Sequence, residues 1–377
     1  MNVFGASFRG LGVLPGGSYS SSMPNDISFD GSVIVGESQS SRGTQAFRWT
    51  LSTGMVGLGD LGGKDPYSSA SGISGDGRVI VGNSRSTDSG TRAEGFRWSG
   101  ASGMVGMGVL PGGALFSSVA FGVSADGSVV SGSSTSTLSP ILGEAYRWTA
   151  ATGMVGLGVL PGSEHPATIP HQLSADGSAI VGWAFTGNGQ EAFRWSAGDG
   201  LVAMGGLTGV PFRSQAYGVS ADGSVIAGFS SGPGPVAFRW TEAEGMQNLG
   251  YTTGGIFSEA FAVSADGSTI VGVSDVDSTE TPFVWDGVHG MRNLVDVLVE
   301  LGLGPALQDW YLYEATAVSA DGLTIAGWGY RPDGSIEAWV ANLGEESIVE
   351  VPTTSRAALT LFAGLLAAAA ILKMKHF

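Results

Sequence analysis

The chain has 377 residues, of which 63 are glycine, none is cysteine and 13% are charged, a composition far from that of a helix-rich enzyme. Acidic residues outnumber basic ones by 33 to 17, for a net charge of −16, which excludes the positive footprint of a nucleic-acid binder. Without cysteine there is no disulfide, no thiolate metal site and no cysteine nucleophile.

Residues 1–10 show no basic region followed by an apolar one, so no secretory leader is visible. The first element, FRGLGVLPGG at residues 8–17, reads as a strand ending in a Pro-Gly turn. A nine-residue motif, Ser-x-Asp-Gly-x-x-x-x-Gly, follows as SFDGSVIVG and returns until there are seven copies. Its aspartates are Asp30, Asp76, Asp126, Asp176, Asp222, Asp266 and Asp321, spaced by 46, 50, 50, 46, 44 and 55 residues. The chain is therefore an array of one unit.

Each unit has four parts. A short apolar stretch such as ASGIS, AFGVS or AYGVS enters the turn. Asp-Gly then reverses the chain, because glycine accepts positive φ and aspartate bonds nearby amides. The next stretch, such as SVIVG, is continuously apolar, as in a strand buried on both faces. The third part carries an aromatic pair two residues apart: Phe47/Trp49, Phe96/Trp98, Tyr146/Trp148, Phe193/Trp195, Phe238/Trp240 and Phe283/Trp285, with Trp339 at the first position of the last unit. Residues two apart share one face of a strand, so both rings point the same way and are expected to pack between neighbouring units. The fourth part is GMVGLGDL and its variants.

Four strands per unit at a period near 48 residues predict an all-β fold, a seven-bladed β-propeller of four-stranded blades spanning residues 1–344. The seventh unit stops after its third strand, while residues 8–14 form a fourth strand with no unit of their own. In a closed ring these pieces complete one blade, so the N-terminal strand is expected to close blade 7. A β-helix with two turns per repeat is the competing architecture. The longest spacing contains NLVDVLVELGLG (residues 293–304), whose Leu294, Val297, Leu298 and Leu301 fall at helical spacing. A short helix is expected to insert there, between blades 6 and 7, as a plug covering one end of the ring rather than a functional lid.

Beyond the ring, an acidic, Pro-containing linker (residues 345–356) precedes a 16-residue apolar run (357–372) and the basic tail KMKHF. The run reads as a hydrophobic helix with a cytoplasmic basic end, a transmembrane or sorting segment over residues 357–377.

The motifs SADGSVIVG, EAFRWT and GMVGLGVLPGG resemble the HAF-family extracellular repeat over residues 8–343. That family is named for a His-Ala-Phe triplet before the tryptophan. Here Gln45, Glu144 and Glu191 are among the residues at the histidine's place, so no role of that histidine transfers. The tail resembles a PEP-CTERM sorting signal, with Val351 and Pro352 in the place of its Pro-Glu-Pro. The resemblance implies export in a Gram-negative bacterium, transient membrane anchoring through the C-terminal helix, and cleavage near Pro352 by an exosortase-like enzyme. It also implies a leader upstream of Met1. The destination would be the cell envelope or the extracellular matrix.

The search for chemistry is less rewarding. A G-x-G-x-x-G match at residues 57–62 and a G-x-S-x-G match at 228–232 do not open helices, which both motifs require. His165, His171, His289 and His376 have no metal-ligand spacing, and His165 and His171 are placed in a surface loop before blade 4. The turn aspartates lack the alternating ligands of a calcium loop and read as backbone caps. No cofactor or metal is expected. The expected function is non-enzymatic binding or scaffolding, with a glycan or surface protein held by the loops that differ between units: residues 87–93, 135–143, 163–171 and 275–281. The alternative is a hydrolase or lyase acting on extracellular polysaccharide.

Overall fold

A computed structural model of the protein describes residues 5–113, 115–207, 213–231 and 234–344. The strand β1 (Ser7–Gly12) comes first, followed by β2 (Ser22–Ile27), β3 (Val33–Ser40), β4 (Gly43–Thr50) and β5 (Gly54–Gly57). The last four form one antiparallel sheet, blade 1, and the next five repeats build blades 2 to 6 in the same order. Blade 7 draws three strands from its own repeat (Tyr311–Val318, Thr324–Tyr330 and Ile336–Asn342). Its fourth is β1, antiparallel to Ile336–Asn342, with Phe8 opposite Ala341 and Gly10 opposite Trp339. The fold is the seven-bladed propeller, closed by the N-terminal strand; the β-helix is excluded.

The blades are held together by a separate apolar core at each of seven junctions. The alternation of side chains across a strand explains the arrangement. Phe47 and Trp49 face blade 7 and pack on Leu11, Ala326 and Ala338, whereas Val33, Val35 and Ala46 face blade 2 and receive Phe96 and Trp98. One face of each blade thus offers a large ring and the other a small residue, so neighbours interlock at the density of a protein interior. The first ring of each pair (Phe47, Phe96, Tyr146, Phe193, Phe238, Phe283, Trp339) is fully buried. The second (Trp98, Trp148, Trp195, Trp240, Trp285) is only half-buried, Trp49 being the buried exception.

Two sets of hydrogen bonds also run from blade to blade. At six junctions a buried hydroxyl at the start of the inner strand accepts a backbone N–H from the third strand of the preceding blade. Ala46 donates to Ser68 Oγ at 2.9 Å, and Ala338 donates across the closure to Ser22 Oγ, also at 2.9 Å. At the other end, the residue before each turn aspartate donates its N–H to the equivalent carbonyl of the next blade. The series runs Phe29 to Gly75, Ala125, Ala175, Ala221, Ala265, Ala320 and back to Phe29, at 2.8–3.1 Å. Seven bonds, all running in one sense, close a ring.

The junction between blades 6 and 7 is built differently. Tyr313 stands near where the other inner strands begin with serine or threonine, and the helix α1 (Leu294–Glu300) enters the junction. Its buried Leu294, Val297 and Leu298 pack with Val271 and Val284 of blade 6 and Leu312 and Trp339 of blade 7. Asn293 caps it, its Oδ1 accepting the Val295 N–H at 2.8 Å. The helix lies between blades 6 and 7, as expected; it seals their junction rather than plugging one end of the ring, because its apolar stripe matches the gap between the two blades. Val351, Pro352 and the apolar run 357–372 lie outside the described residues. Among the described residues no helix is long and apolar enough to cross a membrane.

Candidate functional site

The seven turn aspartates share one geometry. Ser124 Oγ donates to Asp126 Oδ1 at 2.6 Å and accepts the Val129 N–H at 2.9 Å, while Asp126 Oδ1 accepts the Ser128 N–H at 2.9 Å. The Ser-to-Asp bond recurs at Asp30, Asp76, Asp176, Asp222, Asp266 and Asp321 at 2.5–2.8 Å. The Ser124 hydroxyl, with Ser128, holds the Asp126 carboxyl down at about 2. These carboxylates are occupied in closing their own loops, and among the described residues no three of His, Asp and Glu gather as a metal centre.

Because successive strands are antiparallel, every Asp-Gly turn falls at one end of the ring. The connections from second to third strand and from blade to blade fall at the other. The four variable loops (87–93, 135–143, 163–171, 275–281) therefore share the end opposite the aspartates. Their sequences differ most where they are longest. Ile141 and Leu142 are exposed there and form an apolar hollow with Pro140, His165, Pro166 and Phe185.

A second set of unlike residues lies on the axis. Each inner strand carries a bulge at which one residue has no partner on the second strand. The skipped residues are Asn25, Ser71, Phe121, His171, Tyr217, Phe261 and Thr316. A bulge bends the strand and re-aims the extra side chain, and all seven line one axial cavity of about 400 Å³. His171, expected in a surface loop, is on the inner strand Thr168–Leu173 and faces this cavity. The loop ends sooner than its composition suggested, because Thr168 already pairs with Ala184.

The cavity has two sides. Phe121, His171, Tyr217 and Phe261, from four consecutive blades, form an aromatic crescent, with ring centroids 5.8, 4.7 and 5.5 Å apart in turn. Thr316, Asn25, Asp26 and Ser71, from blades 7, 1 and 2, form the polar side. Burial pushes the His171 imidazole down to about 4, so it is neutral at pH 7, and its Nε2 is shut off from solvent with no hydrogen-bond partner. Burial pushes the Asp26 carboxyl up to about 7, against the pull of the Ile73 N–H at 2.9 Å and the Ile27 N–H at 2.8 Å. At the turn end Phe29 narrows the cavity; its ring lies so close to Gly75 that a Cβ there would stand 3.0 Å away, where five other blades carry alanine.

At the loop end, two residues before the axial position, stand Glu259 in blade 6 and Glu314 next to Trp328 in blade 7. Burial raises both carboxyls, Glu259 to about 7, where Arg213 opposes the rise and Glu314 and Glu280 add to it. Glu314 Oε2 accepts the Trp328 Nε1–H at 3.0 Å, and Tyr313 stacks beside that indole at 4.5 Å. Tyr217 donates its hydroxyl to Gln215 at 2.8 Å, and its own titration is raised by burial, then by Glu259. The mouth is thus acidic and aromatic on the side of blades 5 to 7.

Of these axial residues only His171 was named from the sequence, as the last residue of the variable loop 163–171. The signal was there: within stretches such as ASGIS, AFGVS and AYGVS, the second residue is the one that changes from blade to blade. The repeated arginines, by contrast, serve the scaffold. Arg97 and Arg147 reach the Asp-Gly turn of the next blade, donating to the Gly127 and Gly177 carbonyls at 3.2 and 3.3 Å.

The chain matches no protein-family model and none of the curated proteins. Among solved structures it is similar to oligogalacturonate lyase from Vibrio parahaemolyticus, at 10% identity and TM-score 0.50 over 90% of this chain and 97% of that one. It is also similar to a prolyl endopeptidase, at 11% identity and TM-score 0.54 over 85% of this chain and 50% of that one. A puromycin hydrolase gives 14% identity and TM-score 0.53 over 87% and 54% of the two chains. The chain spans about half the length of these last two. At such identities the likeness is one of propeller fold alone.

Proposed function

We propose that this is an exported, surface-associated or matrix repeat protein of the HAF type, whose propeller binds a glycan or protein ligand at its loop end without transforming it. In this reading the C-terminal segment anchors the chain in a membrane until an exosortase-like enzyme cleaves near Pro352. The observation that carries the binding role is the set of seven bulges. One backbone device, repeated in every blade, delivers side chains of six different kinds to a single cavity. A purely structural bulge would tolerate the same small residue in each copy. An aromatic wall facing polar groups is the arrangement of small-ligand sites in general.

The test is a glycan array with the full chain and with His171→Phe, whose folding is checked by circular dichroism. Binding by the parent that weakens in the variant, with no product formed, supports the reading. Retention of full binding by the variant would move the site away from the axis. A polysaccharide hydrolase or lyase is the second reading, and one observation favours it: two carboxyl groups with raised titration, Glu259 and Glu314, stand on adjacent blades at one mouth, as acid–base catalysis requires. Release of reducing ends or unsaturated sugars, abolished by Glu259→Gln, would establish it in place of the first.

A further inference from the structure

We infer that the axial cavity selects a protonated amine and, within the glycan reading above on which this rests, an amino sugar whose amine is free. Charge is the first reason. The seven inner strands contain Asp26, Glu259 and Glu314 and no lysine or arginine. Arg213, whose charge acts on Glu259, is among the described residues the one cation felt there: its Nε donates to Gln190 at 2.8 Å, and its guanidinium lies 5.2 Å from the Phe229 ring. A uronate or a phosphorylated sugar entering this mouth would meet three carboxyl groups against one guanidinium, whereas a cation meets an excess of complementary groups.

The second reason is the wall. Phe121, Tyr217 and Phe261 surround the axial space with ring faces and edges, and an aromatic face attracts an ammonium group within about 6 Å of its centre. The same faces suit the C–H surface of a sugar ring, so skeleton and charge are served together. The third reason is the remaining member of the crescent. His171 lines the cavity as an imidazole that is neutral at pH 7, so it puts no positive charge in the way of a cation. The cavity, about 400 Å³, lies in the ~300–1,000 Å³ range of small-ligand sites.

Calorimetric titration of the full chain at pH 7 with the β-1,4-linked glucosamine disaccharide, and with its N,N′-diacetylated form, tests the inference. The free amine is expected to bind at least about tenfold more tightly than the acetylated form. The double variant Glu259→Gln/Glu314→Gln, with its urea midpoint measured alongside, is expected to lose about tenfold for the amine and nothing for the acetylated form. Equal affinity for the two disaccharides overturns the inference and leaves the glycan reading standing. So does failure of the amine to bind while neutral glycans bind on the array. If no glycan binds in either experiment, both readings fall.

Discussion

Ser124 and Asp126 illustrate how a residue that looks chemically active is used for architecture. The serine hydroxyl is buried and stands between the aspartate and the Val129 N–H, so its removal leaves a buried donor unpaired. Ser124→Ala is expected to cost about 1–3 kcal/mol, read as a lower urea midpoint with unchanged slope. Asp126 adds a pH limit. Its carboxyl titrates at about 2, below its ordinary value of 3.8, so its stabilisation is full above pH 4 and fades as pH falls towards 2. Glu259 has the opposite sign. Its carboxyl titrates at about 7, above its ordinary 4.5, so the fold favours the protonated form and loses stability as pH rises from 4.5 to 7. Glu259→Gln should therefore match the parent in thermal melts at pH 4 and exceed it at pH 8. With the group partly open to solvent, the gain is about 1 kcal/mol. Equal melting temperatures at both pH values would contradict the burial assigned to this carboxyl.

At the scale of the strand, the inner-strand bulge links the repeat to the site. It pushes the Met23 carbonyl against Gly36, where any Cβ would collide with it, and the same contact recurs at Gly82, Gly132, Gly182, Gly228, Gly272 and Gly327. The last glycine of the nine-residue motif is therefore required by the device that aims Asn25 and its counterparts at the axis. Gly132→Ala is expected to lose about 3 kcal/mol or more, measured by chemical denaturation. Leu298→Ala, which opens the core where α1 seals blades 6 and 7, should cost about 2–5 kcal/mol. The turns and aromatic pairs were legible because they repeat: seven copies of Asp30 and its neighbours identify a blade more surely than any single strand. The axial residues were not legible as a group. Period-2 alternation has no term for a skipped residue, so Phe121 and His171 read as ordinary members of a strand or loop. The helix itself was visible in the spacing of Leu294, Val297 and Leu298. Its place between blades 6 and 7 was visible too, in the one long spacing between repeats, but its burial in their junction was not, because the sequence does not say which gap an apolar stripe will fill.

For the molecule as a whole, stability depends on the pairing of β1 with Ile336–Asn342 and on the one-way ring of bonds through Phe29. Deleting residues 5–17 strips the outer strand from blade 7 and uncovers its edge, which is a template for pairing with other chains. The truncated protein is expected to elute as larger assemblies than the parent in size-exclusion chromatography, and a synthetic peptide of residues 5–17 supplied in trans should restore the parent's elution. Parent-like elution without the peptide would show that three strands suffice. The same closure puts a clock on biogenesis. Among the described strands β1 leaves the ribosome first and its partner, Ile336–Asn342, last. At ~5–20 residues per second the newborn strand stays unpaired for roughly 20–70 s. Its own sequence is fitted to that wait: SFRGLG is short, carries a charge and contains two glycines, a combination that discourages premature pairing.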